Sequence, residues 1–252
     1  MKVYTWNVLN PTFAAMTWVG FNVDSRALAL KDKERDSYRL HAIAAVVRSW
    51  LRGKEVVVCL QEVWPALFAA LQSEFGDRMA FTGEDDRRVT LVSGFRIVRA
   101  RALPLPFDPP KTALLCTLER GRSFEVANVH LHWRLRDLTA VAHALRGAQI
   151  VAGDFNKEGA LPFLQRGPRL QGFTAVNPAT NHLAVIDHIL VSKEFTATTK
   201  ILTKAAGYEL PYDFHAILKL KTPWLAARPN KDLSDHAALL AVVKLKRKTR
   251  KN

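Results

Sequence analysis

The chain has 252 residues, of which 48% are hydrophobic, so it can bury a substantial core as one large domain or two small ones. Its 37 lysines and arginines outnumber 23 acidic residues, and the formal charge of +14 favours a polyanion such as nucleic acid as a partner. No apolar run reaches the length of a membrane span, and no charged-then-apolar leader precedes the first strand-like run. These features argue against a helical membrane protein, and we expect an intracellular soluble protein, cytoplasmic or nuclear, without a signal peptide.

The two cysteines, Cys59 and Cys116, each lie within a strand-like apolar run. That setting predicts buried free thiols rather than a disulfide or a metal-binding pair, as expected in a reducing compartment. The lack of clustered cysteine and histidine spacings also argues against a structural zinc site.

Helical and strand-like patterns alternate along the chain. Apolar residues at helical spacing predict helices at 38–51, 65–75 and 138–146, and a short helix is expected at 160–165. Between residues 90 and 129, short runs separated by prolines and glycines predict antiparallel strands. Strands interleaved with amphipathic helices are typical of an α/β protein.

Polar side chains recur where the strand-like runs end. Residues 3–6 run into Asn7, and residues 56–60 run into Gln61 and Glu62. Other run ends carry His130, Asp154, Asn156 and Asp187, and Asp235 and His236 come directly before the last apolar run. In open α/β sheets, ligands bind beyond the carboxyl ends of the strands, so we expect these side chains to gather at a cleft. Taken singly, each could be a turn residue, a surface histidine or a charge at a helix N-terminus.

The ordered set of motifs resembles the endonuclease/exonuclease/phosphatase superfamily, metal-dependent phosphodiesterases that include DNase I. The resemblance extends from Asn7 to His236. Residues 59–63 and 128–133 look most similar to the branch of nocturnin-like deadenylases and 2′-phosphodiesterases. Inositol phosphatases look less similar, because their arginine after Gly-Asp-x-Asn is missing and residues 186–188 differ from their Cys-Asp-Arg triplet.

The resemblance and the alternating elements together imply a four-layer α/β sandwich, in which two mixed β-sheets pack together and helices cover the outer faces. Motifs that span the chain imply a single domain at 1–243, followed by a basic tail at 244–252. The tail could be a solvated segment, a nuclear-import signal or a phosphate-binding arm.

The resemblance also implies a bound Mg²⁺, with Mn²⁺ as a possible substitute. Glu62 is the first expected ligand, assisted by Asn7 or Asp235. Mg²⁺ prefers oxygen ligands and keeps several waters, so one or two carboxylates suffice. Asn7 and Asn156 would also fix the substrate phosphate.

The remaining motif residues have catalytic roles by the same resemblance. Asp154 would orient and deprotonate the attacking water, and His130 would donate to a phosphate oxygen. His236 would polarise the phosphate, with Asp187 holding the required tautomer; this pairing stabilises an imidazolium facing an anion.

The segment 205–231 mixes aromatic and basic residues, including Lys219 and Lys221, which suits single-stranded nucleic acid. Its aromatic residues could instead pack inward. We therefore expect a metal-dependent nuclease, with RNA somewhat favoured over DNA. The alternatives are a phosphatase or phosphodiesterase acting on a small molecule or lipid head group, and a non-catalytic nucleic-acid binding module.

Overall fold

A computed structural model describes most of the chain. The described residues are 1–11, 25–83, 88–106, 111–132, 138–157, 161, 164–166, 174–177, 182–210, 234 and 236–246. Asp235, Lys219 and Lys221, three residues singled out in the sequence, lie outside these ranges, as does the end of the tail from 247. Among the described residues, no helix combines the length and apolar composition needed to cross a membrane.

Three α-helices are present in the described part of the chain, together with a short 3₁₀ helix at Gly76–Arg78. The α-helices are α1 (Ser25–Trp50), α2 (Pro65–Phe75) and α3 (Thr139–Ala144). The helix predicted at 65–75 is confirmed, the first helix begins earlier than residue 38, and the third is shorter than 138–146. The helix predicted at 160–165 is wrong where it is described, because Leu164–Arg166 is a strand. This segment bonds its backbone to a neighbouring strand, and Leu164 is buried in the core.

The strands form two six-stranded sheets. The first contains β1 (Lys2–Asn7), β2 (Val56–Val63), β3 (Met79–Thr82), β4 (Arg88–Ser93), β13 (Phe195–Leu202) and β16 (Ala238–Leu245). The second contains β5 (Arg96–Leu105), β6 (Lys111–Arg120), β7 (Arg122–His130), β8 (Ile150–Asp154), β9 (Leu164–Arg166) and β12 (Asp187–Ser192). The first sheet has the order β13-β16-β1-β2-β4-β3, and the second has the order β5-β6-β7-β8-β12-β9. Two short hairpins are β10 (Ala175–Asn177) with β11 (His182–Ala184), and β14 (Lys204–Ala205) with β15 (Tyr208–Glu209).

Each sheet is mixed and contains one parallel pair. In the first sheet β1 runs parallel to β2, and in the second β7 runs parallel to β8. The other pairings are antiparallel, which confirms the antiparallel strands expected between 90 and 129. The carboxyl ends of both parallel pairs carry the polar residues of the sequence motifs, namely Asn7, Glu62, His130 and Asp154.

Alternation along the strands builds three apolar layers. On β1, Val3 faces the second sheet, whereas Tyr4 and Trp6 pack with the helices α1 and α2. On β8, Ile150 joins the layer between the sheets and Val151 packs with the segment around α3. Successive side chains of a strand point to opposite faces, so each sheet is covered on both sides. The expected sandwich of two mixed sheets with helices outside is confirmed.

Both cysteines are buried free thiols, as predicted. Cys59 lies on β2 and Cys116 on β6, so each sheet contributes one thiol to the layer between them. Burial raises the pKa of both thiols, which keeps them protonated and unreactive.

The described ends of two predicted segments differ from expectation. Lys244 and Leu245, assigned to the basic tail, are the last residues of β16 and pair with β13. Tyr208, one of the aromatic residues of 205–231, packs against Tyr38 of α1 with ring centroids 6.2 Å apart. This contact favours inward packing for Tyr208, whereas residues 211–233 lie outside the described part.

Candidate active site

The edge where the two parallel pairs end brings most of the predicted site residues together. His130 and Asp154 are direct neighbours in the register of β7 and β8, and Asp187 pairs with Asp154 from β12. Asn7 and Glu62 reach the same edge from the first sheet. Asn7, Glu62, His130, Asp154, Asp187 and His236 are all buried, at 0 to 9% exposure.

Asn7 joins the two sheets at this edge. Its Nδ2 donates to Glu62 Oε1 at 2.8 Å and to Asp154 Oδ2 at 3.0 Å. Its Oδ1 accepts the backbone N–H of Leu9 at 3.0 Å. The amide therefore presents donors to two carboxylates that would otherwise repel each other, and its expected role as a metal ligand stays a prediction.

Glu62 lies in an irregular part of β2. The pairing of β2 with β4 shifts register between Leu60 and Val63, and Glu62 has a left-handed backbone with φ of +58°. A non-glycine residue in that region is strained, and such strain clusters at functional sites. Glu62 Oε2 accepts the backbone N–H of Asn10 at 3.0 Å, so both carboxylate oxygens are held by donors from the β1 end.

His130 approaches both carboxylates with one ring nitrogen. Its Nε2 lies 3.7 Å from Glu62 Oε1 and 3.6 Å from Asp154 Oδ2. The imidazole and the two carboxylates thus surround one small space, and their ligand atoms lie within 4.8 Å of one another.

Asp154 is a buried acid whose pKa is strongly raised. Burial is the main cause that raises its pKa from 3.8 to about 7. The neighbouring His236 opposes the shift, and Asp187 adds to it. Hydrogen bonds from Asn7 and from the backbone N–H of Asn156, the latter at 2.7 Å, also oppose it. A carboxylate that titrates near neutrality is suited to act as a general base.

His236 and Asp187 form the pair expected from the sequence. His236 Nδ1 lies 2.9 Å from Asp187 Oδ2, and its Nε2 lies 3.9 Å from Asp154 Oδ2. Because a carboxylate accepts, the short contact requires the proton on Nδ1, which leaves Nε2 directed at the shared space.

Asn156 turns the chain immediately after β8. Its φ is +50°, its backbone N–H holds Asp154 Oδ1, and its Nδ2 donates to the carbonyl of Leu131 at 3.0 Å. Asparagine tolerates this left-handed backbone better than most residues. The hydrogen bond from the Asn156 backbone orients Asp154. The expected contact of Asn156 with phosphate stays a prediction.

Gly153 permits the close approach of β7 and β8. Its φ is +150°, and a Cβ at this position would lie 1.9 Å from the carbonyl oxygen of Val129. Only glycine fits here, and the next residue, Asp154, is thereby placed beside His130.

The structure also shows supporting residues that the sequence did not single out. Ser234 Oγ donates to the carbonyl of Asn7 at 2.6 Å and accepts the backbone N–H of His236 at 3.0 Å. Thr174 Oγ1 accepts the backbone N–H of Asp187 at 3.1 Å. Ser234 could have been found from its place beside the motif, but no local pattern marks Thr174.

A polar bridge behind the site links the sheets. Gln61 Nε2 donates to Asn128 Oδ1 at 2.7 Å and to Thr5 Oγ1 at 3.1 Å. Asn128 Nδ2 donates to the carbonyls of Leu60 and Thr90. All these buried groups are satisfied across the interface, which fixes the two strand ends relative to each other.

The donor set fits a hard divalent cation. Two groups of ligand atoms converge, Glu62 with His130 and Asp154, and Asp154 with Asp187 and His236. Carboxylate oxygens suit Mg²⁺ or Mn²⁺, and the described residues of both groups include no thiolate.

Solved structures with the same fold were found by comparison. The humanized TDP2 of D. rerio, carrying 14 mutations, has a TM-score of 0.62 and 15% identity, covering 97% of this chain and 98% of that one. D. rerio TDP2 complexed with single-strand DNA product has a TM-score of 0.59 and 16% identity, covering 97% and 98%. The mannosyl-6-phosphatase Bt3783 of Bacteroides thetaiotaomicron VPI-5482 has a TM-score of 0.62 and 16% identity, covering 97% and 100%.

Sequence comparisons identify the family. No curated protein matches the chain significantly. The model of the Endonuclease/Exonuclease/phosphatase family matches residues 4–236, a range that includes every described residue of the site. This match supports the activity of a metal-dependent phosphodiesterase or phosphatase. The chain belongs to the endonuclease/exonuclease/phosphatase family.

Proposed function

We propose that this protein is a Mg²⁺-dependent phosphodiesterase that hydrolyses nucleic acid by in-line attack of an activated water. The observation that carries the proposal is the convergence of Glu62, His130 and Asp154, bridged by the Asn7 amide. A structural role alone does not explain why two carboxylates and an imidazole are buried at one edge, since burying charge is costly.

Each residue has a part in this reaction. Glu62 would hold the cation, with Asn7 or Asp235 assisting. A cation bound there would polarise the phosphate and stabilise the leaving oxygen. Asp154 would accept a proton from the attacking water, since its raised pKa makes it a competent base near neutrality.

Donors around the carboxylates would bind the phosphate. Nε2 of His130 and Nε2 of His236 face the shared space, and His236 would donate from Nε2 as the imidazolium that Asp187 stabilises. Asn7 and Asn156 would add amide donors. One preorganised donor of this kind changes a barrier by about 2.7 to 4 kcal/mol.

Two observations support nucleic acid as the proposed substrate, namely the net positive charge of the chain and a solved structure of the same fold. The formal charge of +14 favours a polyanion, and one structure of the same fold is a complex with single-strand DNA product. We propose a single-stranded substrate with RNA somewhat favoured, bound in part by Lys219 and Lys221. The similarity to the deadenylase branch and the single domain at 1–243 stay predictions as well.

A second candidate is a phosphatase acting on a small molecule. Its support is the mannosyl-6-phosphatase of Bacteroides thetaiotaomicron, which has the same fold with a TM-score of 0.62. The same ligands and donors could serve a phosphate monoester, and residues outside the described ranges would then set the specificity.

One experiment separates these candidates. The purified protein is incubated with Mg²⁺ or EDTA and a panel of poly(A) RNA, single- and double-stranded DNA, abasic DNA, 2′,5′-oligoadenylate, inositol phosphates and a sugar 6-phosphate. We expect Mg²⁺-dependent cleavage of the single-stranded polymers. Preferential hydrolysis of a small phosphate would establish the second candidate, and binding of polymer without turnover would establish a non-catalytic module.

Variants test the site in the same assay. Glu62→Gln preserves shape and removes the ligand charge, so turnover should fall by at least about 100-fold, as for loss of a charge-stabilising group. Glu74→Gln is the matched control, because Glu74 pairs with Arg48 between the outer helices, away from the site. Equal activity of both variants would remove Glu62 from the mechanism.

A further inference from the structure

Arg39 is a fully buried arginine next to the end of β1. It lies in α1 with 0% exposure, and its guanidinium donates to the carbonyl of Val8 at 2.7 Å and to the carbonyl of Leu9. Its Nη1 lies 3.5 Å from Asp36, and its guanidinium carbon lies 5.1 Å from the Trp64 ring centroid. A buried cation is tolerated only where such acceptors replace water.

The backbone that Arg39 holds leads directly to Glu62. Leu9 has a left-handed φ of +52°, and its N–H donates to Asn7 Oδ1. The next N–H, that of Asn10, donates to Glu62 Oε2 at 3.0 Å. The two Arg39 contacts therefore fix the turn that positions the Asn10 N–H, which is one of the two donors to the Glu62 carboxylate.

The geometry of the side chain explains why an arginine is needed. Its Nη2 donates to both carbonyls, while Nη1 of the same planar group lies 3.5 Å from Asp36. A lysine ammonium is a single compact nitrogen on a flexible stem, so it keeps the charge but cannot serve the carbonyls and Asp36 from two fixed nitrogens.

We propose that Arg39 is a positioning residue for the metal ligand Glu62, acting through the turn at Val8, Leu9 and Asn10. This inference rests on the proposed function, in which Glu62 binds the cation. Residues that orient a metal ligand typically change metal affinity by about 10- to 100-fold when altered. We therefore expect an effect of that size on cation binding, in addition to any effect on folding.

The competing role is purely structural. Arg39 could serve only to attach α1 to the first sheet, since Val8 and Leu9 are buried core residues. Replacement would then lower the thermal unfolding temperature and leave the cation affinity of the folded molecules unchanged. The two roles differ in one readout, the dissociation constant of the metal measured on folded protein.

The test uses Mn²⁺ as the probe, with free Mn²⁺ followed by electron paramagnetic resonance. Arg39→Lys retains the charge and an apolar stem, and Arg39→Met retains only the apolar stem. Arg48→Lys is the matched control, because Arg48 lies on the same helix and bonds to Glu74 at the surface. Thermal unfolding in EDTA reports the folded state of each variant.

We expect Arg39→Lys to weaken Mn²⁺ binding by about 10-fold or more, within the range for residues that orient a ligand, and Arg48→Lys to leave it unchanged. Arg39→Met should weaken binding further. Should Arg39→Met not fold, Arg39→Lys decides the question. Wild-type Mn²⁺ affinity in folded Arg39→Lys would overturn the proposal.

Glu62→Gln separates failure of the inference from failure of the proposed function. If Glu62→Gln loses Mn²⁺ binding while Arg39→Lys keeps the wild-type affinity, only the role of Arg39 is refuted. Unchanged Mn²⁺ binding in Glu62→Gln would refute the metal site itself and the inference with it. If Arg39 acts through Glu62, adding Arg39→Lys to Glu62→Gln should have no further effect on residual binding.

Discussion

Asn7 Nδ2 donates to Asp154 Oδ2 at 3.0 Å, although the two residues lie in different sheets and are separated by 147 positions in the sequence. The same nitrogen also donates to Glu62 Oε1. One amide therefore compensates two carboxylates that face each other across the sandwich. Its replacement should reveal how much the two acids repel each other.

Asn7→Asp tests this relationship. The new carboxylate keeps an acceptor for the Leu9 N–H but removes the donor shared by Glu62 and Asp154. In EDTA we expect stability to fall by about 1 to 3 kcal/mol, the cost of leaving buried acceptors unsatisfied. Mg²⁺ should then raise the unfolding temperature of Asn7→Asp more than that of Asn7→Ala, because only the former adds a ligand charge. Equal Mg²⁺ responses of the two variants would contradict this explanation.

Asp154→Asn should change both activity and the pH dependence of stability. The folded pKa of Asp154 is raised, from 3.8 to about 7, so the folded state binds its proton more tightly than the unfolded state. The resulting contribution to stability is fully present below about pH 4 and is lost as pH rises through about 7. In EDTA, the stability of Asp154→Asn relative to wild type should therefore increase from pH 5 to pH 8.

The measurement is thermal unfolding across that pH range, combined with turnover in Mg²⁺. Asp154→Asn should be inactive because the amide cannot accept the proton of the attacking water. Asp77→Asn is a suitable control, since Asp77 is an exposed residue after α2. A stability difference independent of pH would show that Asp154 is not held protonated by burial.

Gly153→Ala should be severely destabilising. The added Cβ would meet the Val129 carbonyl oxygen at 1.9 Å, and neither strand can move without disturbing the pairing of β7 with β8. We expect a loss of about 4 kcal/mol or more, measured by urea unfolding. Gly121→Ala is the control, because Gly121 has a φ of +74° but no atom within 4 Å of the added Cβ. It should lose only about 1 to 2 kcal/mol, the cost of a left-handed backbone.

Lys219→Ala combined with Lys221→Ala should flatten the salt dependence of single-strand binding. Each phosphate contact contributes about 0.7 to the slope of log affinity against log salt, so the slope should fall by about 1.4. Lys2 and Lys54 provide the control pair, since they are exposed near the amino ends of β1 and β2, away from the site. The same change in slope from both pairs would indicate a general charge effect rather than a binding segment.

The sequence identifies the polar residues that gather at the shared edge better than it identifies the residues that support them. Polar residues after apolar runs identify Asn7, Glu62 and Asp154, because the end of a strand is a local feature of the pattern. Parallel pairing then carries these residues to one edge. Thr174 and Arg39 could not be identified in this way, because they act through contacts with backbone that is distant in the sequence, and the apolar pattern does not indicate such contacts.

The pattern of apolar residues also does not predict local backbone strain. Glu62 sits in an apolar run that predicts a regular strand, yet its backbone is left-handed at a shift of register. The short segment from Leu164 fails for a related reason, because pairing with β12 overrides its helical appearance. Tertiary contacts decide the conformation where the local preference is weak.

Alkylation of the two thiols between the sheets can report how often the sandwich opens. Cys59 and Cys116 come from opposite sheets and are fully enclosed, so an alkylating reagent can reach them only when the sheets part. Labelling rates then measure how often the interior opens without any added probe. Equal rates for both cysteines would mean that the sheets separate as one event, and Mg²⁺ bound at the shared edge should slow both together.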